Sequence, residues 1–132
     1  MWFFIRELFH REFSVFYIGT KSGHVYKVSQ WRDDEGALQS QLLDSFQATV
    51  EREPIRAMEL SRARRQLYVT SDSAVRQIDL GLCTARYDTC LQCSRDPSCG
   101  WDRDAGVCRC GDISFQQFTT LKIFTVKIFT QL

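Results

Sequence analysis

Six cysteines are the residues of this 132-residue chain best suited to chemistry, and all fall between Cys83 and Cys110. The spacing is C-x6-C-x2-C-x5-C-x8-C-x-C, running through Cys83, Cys90, Cys93, Cys99, Cys108 and Cys110. Three chemistries compete for them. A zinc site would use Cys90/Cys93 and Cys108/Cys110 as two thiolate pairs separated by a loop. The first pair has suitable spacing, but Cys-Arg-Cys is too tight, and Cys83 and Cys99 are left over. A redox site would use Cys90-Leu-Gln-Cys93 as thioredoxin does, on a strand leading into a helix. Asp88-Thr89 before the pair and Arg95-Asp96-Pro97 after it do not suggest that context. A disulfide framework fits the even count, the density and the turn residues Pro97, Gly100 and Gly106. A module this short buries too little apolar surface to fold without cross-links. Trp101, next to Cys99, offers an apolar plate to pack over disulfides.

The rest of the chain offers little else for chemistry. His10 and His24 are far apart and have no evident ligand or catalytic partners. There is no Gly-rich phosphate loop and no triad spacing. Seventeen basic and sixteen acidic residues leave a net charge of +1, so there is no global drive toward nucleic acid or an anionic membrane. No small-molecule substrate or cofactor is indicated. The content is 44% hydrophobic and 25% charged, ordinary for a globular protein. The N-terminal MWFFIRELFHREF is too charged for a signal-peptide core, and the chain has no Asn to accept an N-glycan. Arg62-Ala63-Arg64-Arg65 resembles a basic processing site, but it falls where a turn between strands is expected and reads as a solvated turn.

The elements that must position the cysteines read as β-strands. FSVFYI (13–18), a GTKSG turn and HVYKV make a hairpin, followed by a polar loop (31–37) and QLLDSF (41–46). The pattern restarts with IRAMEL (55–60), a charged turn (62–66), LYVTS (67–71) and AVRQIDL (74–80). FYIGTKSGHVYKV and LYVTSDSAVRQI read alike, with Tyr17 and Tyr68 in matching places. A β repeat of this period suggests propeller blades, with an ordinary antiparallel meander as the alternative. About six strands are legible where two four-stranded blades need eight. The first set lacks an inner strand, which residues 1–12 are expected to replace; the second lacks an outer one.

These residues carry a resemblance. Cys83 through Asp102, with Tyr87, Cys90, Cys93, Arg95-Asp96-Pro97 and Cys99-Gly-Trp-Asp, resembles the PSI module of semaphorins, in detail the invertebrate ones. LYVTSDSAVRQIDLGLC looks like the last sema-propeller strands running into that module, and FYIGTKSGHVYKV like the blade before. The resemblance implies a mainly β fold: the incomplete last two blades of a seven-bladed sema β-propeller, then a small disulfide-rich PSI module. It divides the chain into a non-family segment (1–12), the C-terminal part of the sema domain (13–82), the PSI module (83–112) and a non-family tail (113–132). In the family, a strand from the N-terminal end of the sema domain closes the last blade. By position, the resemblance implies Cys83–Cys99 and Cys93–Cys108 disulfides; Cys90 is left with Cys110 as partner. Trp101, Gly100, Asp102 and Pro97 become structural residues of the module.

The functional implications follow from the family. Semaphorins are extracellular guidance ligands, secreted or on the cell surface, that dimerise, bind plexin receptors and direct axon growth and cell migration. They are not enzymes. The receptor-contacting surface lies mainly on earlier blades, so this chain is expected to lack most of it. Two rivals stay open: the sema and PSI region of a plexin- or Met-like receptor, and an unrelated intracellular β protein with a zinc module. The tail, with KIFT at 122 and again at 127, is β-prone and aggregation-prone if exposed, and too broken by Lys, Thr and Gln to span a membrane.

Overall fold

The computed structural model describes residues 11–61, 63–110 and the backbone of 122–129. β1 (Arg11–Gly19) and β2 (His24–Arg32) form the first hairpin, and β3 (Leu38–Gln47) continues it antiparallel. Gly23 lies in the hairpin turn at φ 80. A Cβ there would meet Thr49 Oγ1 at 1.9 Å, so the turn requires glycine. β2 takes Trp31 and Arg32 from the expected loop, because they pair with Gln39 and Leu38. Asp33 closes what remains of that loop, accepting the backbone N–H groups of Glu35 and Ala37.

The second sheet contains β4 (Ala57–Ser61), β5 (Gln66–Thr70) and β6 (Val75–Asp79), all antiparallel. Residues 63–65 of the basic run form an exposed turn between β4 and β5; Arg62 lies outside the described residues, as does His10. Among the described residues this sheet ends at β6. The third sheet is a hairpin of β7 (Cys99–Asp102) and β8 (Val107–Cys110).

The first sheet has a fourth strand from an unexpected source. β9 (Lys122–Phe129) runs parallel to β1, giving the order β3-β2-β1-β9. The sequence directed attention to residues 1–12 for this position. Arg11 and Glu12 already belong to β1, and residues 1–10 lie outside the described residues. The Ile, Phe, Thr and Val of the tail suit a strand, and they occupy the free edge of β1.

Both blade-like sheets share one core. Val15, Tyr17, Val25, Ala48, Ile55, Leu67 and Val69 are buried, with Phe46, Met58, Ile78 and Leu80 packed around them. The two hairpins bury opposite faces. When Tyr17 is matched to Tyr68, Phe16 and Ile18 match Leu67 and Val69. In the first sheet Val15 and Tyr17 are buried; in the second Leu67 and Val69 are. The sheets therefore stack head to tail, like successive blades, rather than inner face to inner face as in a sandwich. Head-to-tail stacking is open-ended. The opposite face of the first sheet carries Phe16 and Ile18, both half-buried, with their register neighbours Tyr26, Val28 and Leu42; Leu42 is 58% exposed. Among the described residues no helix is long and apolar enough to cross a membrane.

Candidate functional site

The cysteine module is built from two short helices facing the β7–β8 hairpin: α1 (Cys83–Arg86) and α2 (Cys90–Arg95). Thr89 caps α2 by accepting the Gln92 N–H. Pro97 disfavours helical backbone at the residue before it. Asp96 is accordingly extended (φ −85°, ψ 116°), and α2 stops there. A disulfide joins Cys83 on α1 to Cys99 on β7, with Cα atoms 5.9 Å apart. A second joins Cys93 on α2 to Cys108 on β8, at 5.7 Å. The two crossed links each tie a helix to a strand. Each closes a loop of the length for which about 3 kcal/mol of stabilisation is typical. The Sγ atoms of Cys83, Cys99 and Cys108 lie within 4.8 Å of one another, as metal ligands would. All three are consumed in disulfides, which leaves no thiolates there for zinc.

The expected Cys90–Cys110 bond is corrected by the structure: Cys90 is a free, exposed thiol. It heads α2 on the solvent side, while Cys93, one turn on, is buried against the hairpin. The backbone of Cys110 pairs opposite Cys99 at the far end of β8. Cys90 and Cys93 also cannot act as a redox pair, because Cys93 is committed to Cys108.

Trp101 packs, half-buried, against the cluster of Cys83, Tyr87, Cys93, Cys99 and Cys108. Gly100 and Pro97 are buried. Asp102 organises the hairpin turn: its carboxylate accepts the N–H groups of Asp104 and Ala105 and the Arg109 guanidinium at 2.8 Å. The Ala105 backbone bond first, then the Arg109 bond, hold the Asp102 carboxyl below its ordinary pKa.

The residue that joins the module to the sheets is one the sequence reading did not single out. Lys27 on β2 is 3% exposed and Asp96 is 1% exposed. Lys27 Nζ donates to Asp96 Oδ2 at 2.5 Å and to Ser98 Oγ at 3.0 Å. Tyr87 OH donates to the same Oδ2 at 2.8 Å. The other oxygen, Oδ1, accepts Ser98 N at 2.9 Å and Ser98 Oγ at 2.6 Å. A carboxylate offers about four acceptor sites, and these four bonds use them. Lys27 Nζ also lies 5.7 Å from the centre of the Tyr17 ring, a cation–π distance. Burial opposes ionisation of Asp96, but the Lys27 charge and the Ser98 bonds outweigh it and hold the carboxyl below its usual range. Burial, then the neighbouring Asp96 carboxylate, pushes the Tyr87 phenol well above its usual value.

A second link lies beside the first. Arg86 of α1 forms an ion pair with Asp44 of β3 and sits over the Phe46 ring, 5.0 Å from its centre. Both links run from the module to the first sheet, although the module follows the second sheet in sequence. One sequence signal pointed to Lys27. In HVYKV it shares parity with Val25, the buried face, so an inward lysine required a buried anion. The Asp of Arg-Asp-Pro is that anion. His24, the other residue considered for chemistry, stacks on Tyr26 with ring centres 6.4 Å apart.

A sequence profile described as "Sema domain" matches residues 5–62. Semaphorin-2A of Schistocerca gregaria is 52% identical over 98 residues, which are 74% of this chain and 14% of that protein. Semaphorin-2A of Drosophila melanogaster is 43% identical over 103 residues, 78% of this chain and 14% of that protein. The chain belongs to the semaphorin family. Its type is that of the invertebrate semaphorins, and it spans about one seventh of the length of these relatives. The solved structure of Drosophila Semaphorin 2a superposes with a TM-score of 0.64 at 41% identity, covering 74% of this chain and 16% of that one. A chain from Drosophila Plexin A in complex with Semaphorin 1b superposes with a TM-score of 0.65 at 25% identity, covering 79% of this chain and 22% of that one. The mainly β fold of this semaphorin chain agrees with those structures, and its disulfide-rich C-terminal region is consistent with a PSI-like module.

Proposed function

We propose that this chain is the last sector of a semaphorin guidance ligand. In this reading residues 13–82 are the incomplete final two blades of the sema propeller and residues 83–112 the PSI module. The parent is an extracellular or cell-surface homodimer that binds a plexin-type receptor, steers axons and migrating cells by repulsion, and catalyses no reaction. The observation that carries the reading is the 52% identity to a Semaphorin-2A across sheets and module together. A plexin partner is supported by the likeness to a plexin–semaphorin complex. The ligand side is favoured over the receptor side because both closely matching relatives are semaphorins. The disulfides fit an oxidising compartment. The half-buried Phe16/Ile18 face is the place where a preceding blade would stack.

The sector supports the receptor-binding blades without supplying most of the binding surface. A chimera tests this: residues 13–110 replace the matching sector of Drosophila Semaphorin-2A. The chimera is expected to bind a plexin ectodomain as its parent does, whereas the isolated oxidised chain shows no saturable binding. A folded chimera without plexin binding, or saturable binding by the isolated chain, contradicts the reading.

A further inference from the structure

Strand β9 pairs with β1 along one edge only, and among the described residues no strand covers its other edge. Every second residue of this eight-residue strand turns its N–H and C=O groups toward that other edge, a template for another strand. The residue order of β9 decides how a second copy could add there. The free edges of two copies are identical, and identical edges pair naturally across a two-fold axis, with the strands antiparallel. Opposed residues then have numbers whose sum is even, because both must turn their backbone groups toward the partner.

Two central registers satisfy that condition. In one, Thr125 meets Thr125, Phe124 meets Val126, and Lys122 and Lys127 meet Ile128 and Ile123. In the other, Val126 meets Val126, Phe124 meets Ile128, and Thr125 meets Lys127. Neither sets Lys against Lys, and both bring aromatic and β-branched types together, which are favourable cross-strand pairs. A parallel in-register addition would oppose Lys122 to Lys122 and Lys127 to Lys127. We propose that β9 is a self-recognition edge: two copies of this chain join β9 to β9 antiparallel, making one continuous eight-stranded sheet. This interface belongs to the tail. It is distinct from the homodimer proposed for the parent and does not depend on that reading.

The test is the dimer dissociation constant of the full oxidised chain, measured by sedimentation at low salt, where charge effects are largest. Wild type is expected to approach twice the monomer mass as concentration rises. Thr125→Lys opposes Lys to Lys in the first register and to Lys127 in the second. It is expected to weaken the dimer about fivefold or more. Thr125→Glu reads the register: it weakens the dimer if Thr125 meets itself and strengthens it if Thr125 meets Lys127. In the first case an equal mixture of the Lys and Glu variants restores the dimer, which also shows that both variants fold. A wild-type chain that stays monomeric overturns the proposal, as does a Thr125→Lys chain that dimerises like wild type. So does a Lys/Glu mixture that stays monomeric when Thr125→Glu alone also weakens the dimer.

Discussion

The two sheets and the cysteine module solve the same problem by different means. Among the described residues the sheets bury seven largely apolar side chains in a shared core. In the module, four of the five buried cluster residues are half-cystines, with Tyr87 the fifth and Trp101 packed alongside. The larger region has enough surface to hide for the hydrophobic effect to hold it. The smaller one replaces that missing area with covalent links. The boundary between them is neither apolar nor covalent. It is a buried ion pair, Lys27–Asp96, satisfied by Tyr87 and Ser98. A buried charge pair is weak evidence for net stability but strongly penalises a wrong partner. That suits a junction that must be specific.

Removing the covalent links should break the comparison most sharply. Cys93→Ala with Cys108→Ala is expected to cost about 2–5 kcal/mol. In limited proteolysis cleavage at Arg95 and Arg103 in the module should speed up, while cleavage within β1–β6 stays as in wild type. Simultaneous loss of both regions would show that the sheets depend on the module.

Next in size is the apolar side. Leu67 is fully buried, and Leu67→Ala is expected to cost about 2–5 kcal/mol in urea unfolding. Under non-reducing conditions, peptide mapping of this variant should still find Cys83–Cys99 and Cys93–Cys108. Scrambled pairing would mean that the sheet core directs the module's oxidation.

Acid should act on the junction more gently. The carboxyl of Asp96 is held below its unfolded value. Its contribution is therefore present above the unfolded pKa, about 4, and is lost as pH falls through the folded pKa. The urea midpoint should drop below about pH 4, and Asp96→Asn should flatten that part of the profile. An unchanged slope in the variant would assign the acid sensitivity to other carboxylates.

The smallest effect should come from the exposed pair Arg56–Asp72, whose side chains are 60% and 62% exposed. Asp72→Ala should leave the urea midpoint unchanged within error, because solvent screens such pairs.

Much of this was readable from residue order. The aromatic and β-branched content of FSVFYI, the alternation in HVYKV and IRAMEL, and the LYVTS run marked strands. Cysteine spacing with Pro97 and Gly106 marked a stapled loop module. Three features were harder, each for a physical reason. Lys27 has the parity of a core residue but the chemistry of a surface one, and the anion that resolves the conflict is 69 positions away. The pairing of β9 with β1 is non-local, and strand propensity in the tail says nothing about which edge it joins. Cys90 has the helical spacing to Cys93 of a matched pair, but the fold turns one thiol outward and the other in.

The claim that most needs testing is that Lys27 and Asp96 fasten the module to the sheets. A double-mutant cycle on the oxidised chain measures it directly, using Lys27→Met, Asp96→Leu and the double variant in urea unfolding at pH 7. Each single change strands a buried partner and should cost about 3–5 kcal/mol, while the double change should cost clearly less than the sum of the two, the remaining loss being the Tyr87 and Ser98 donors that Asp96 no longer accepts. Costs that add to within about 0.5 kcal/mol would show that the two residues do not act as a pair, and would contradict the account.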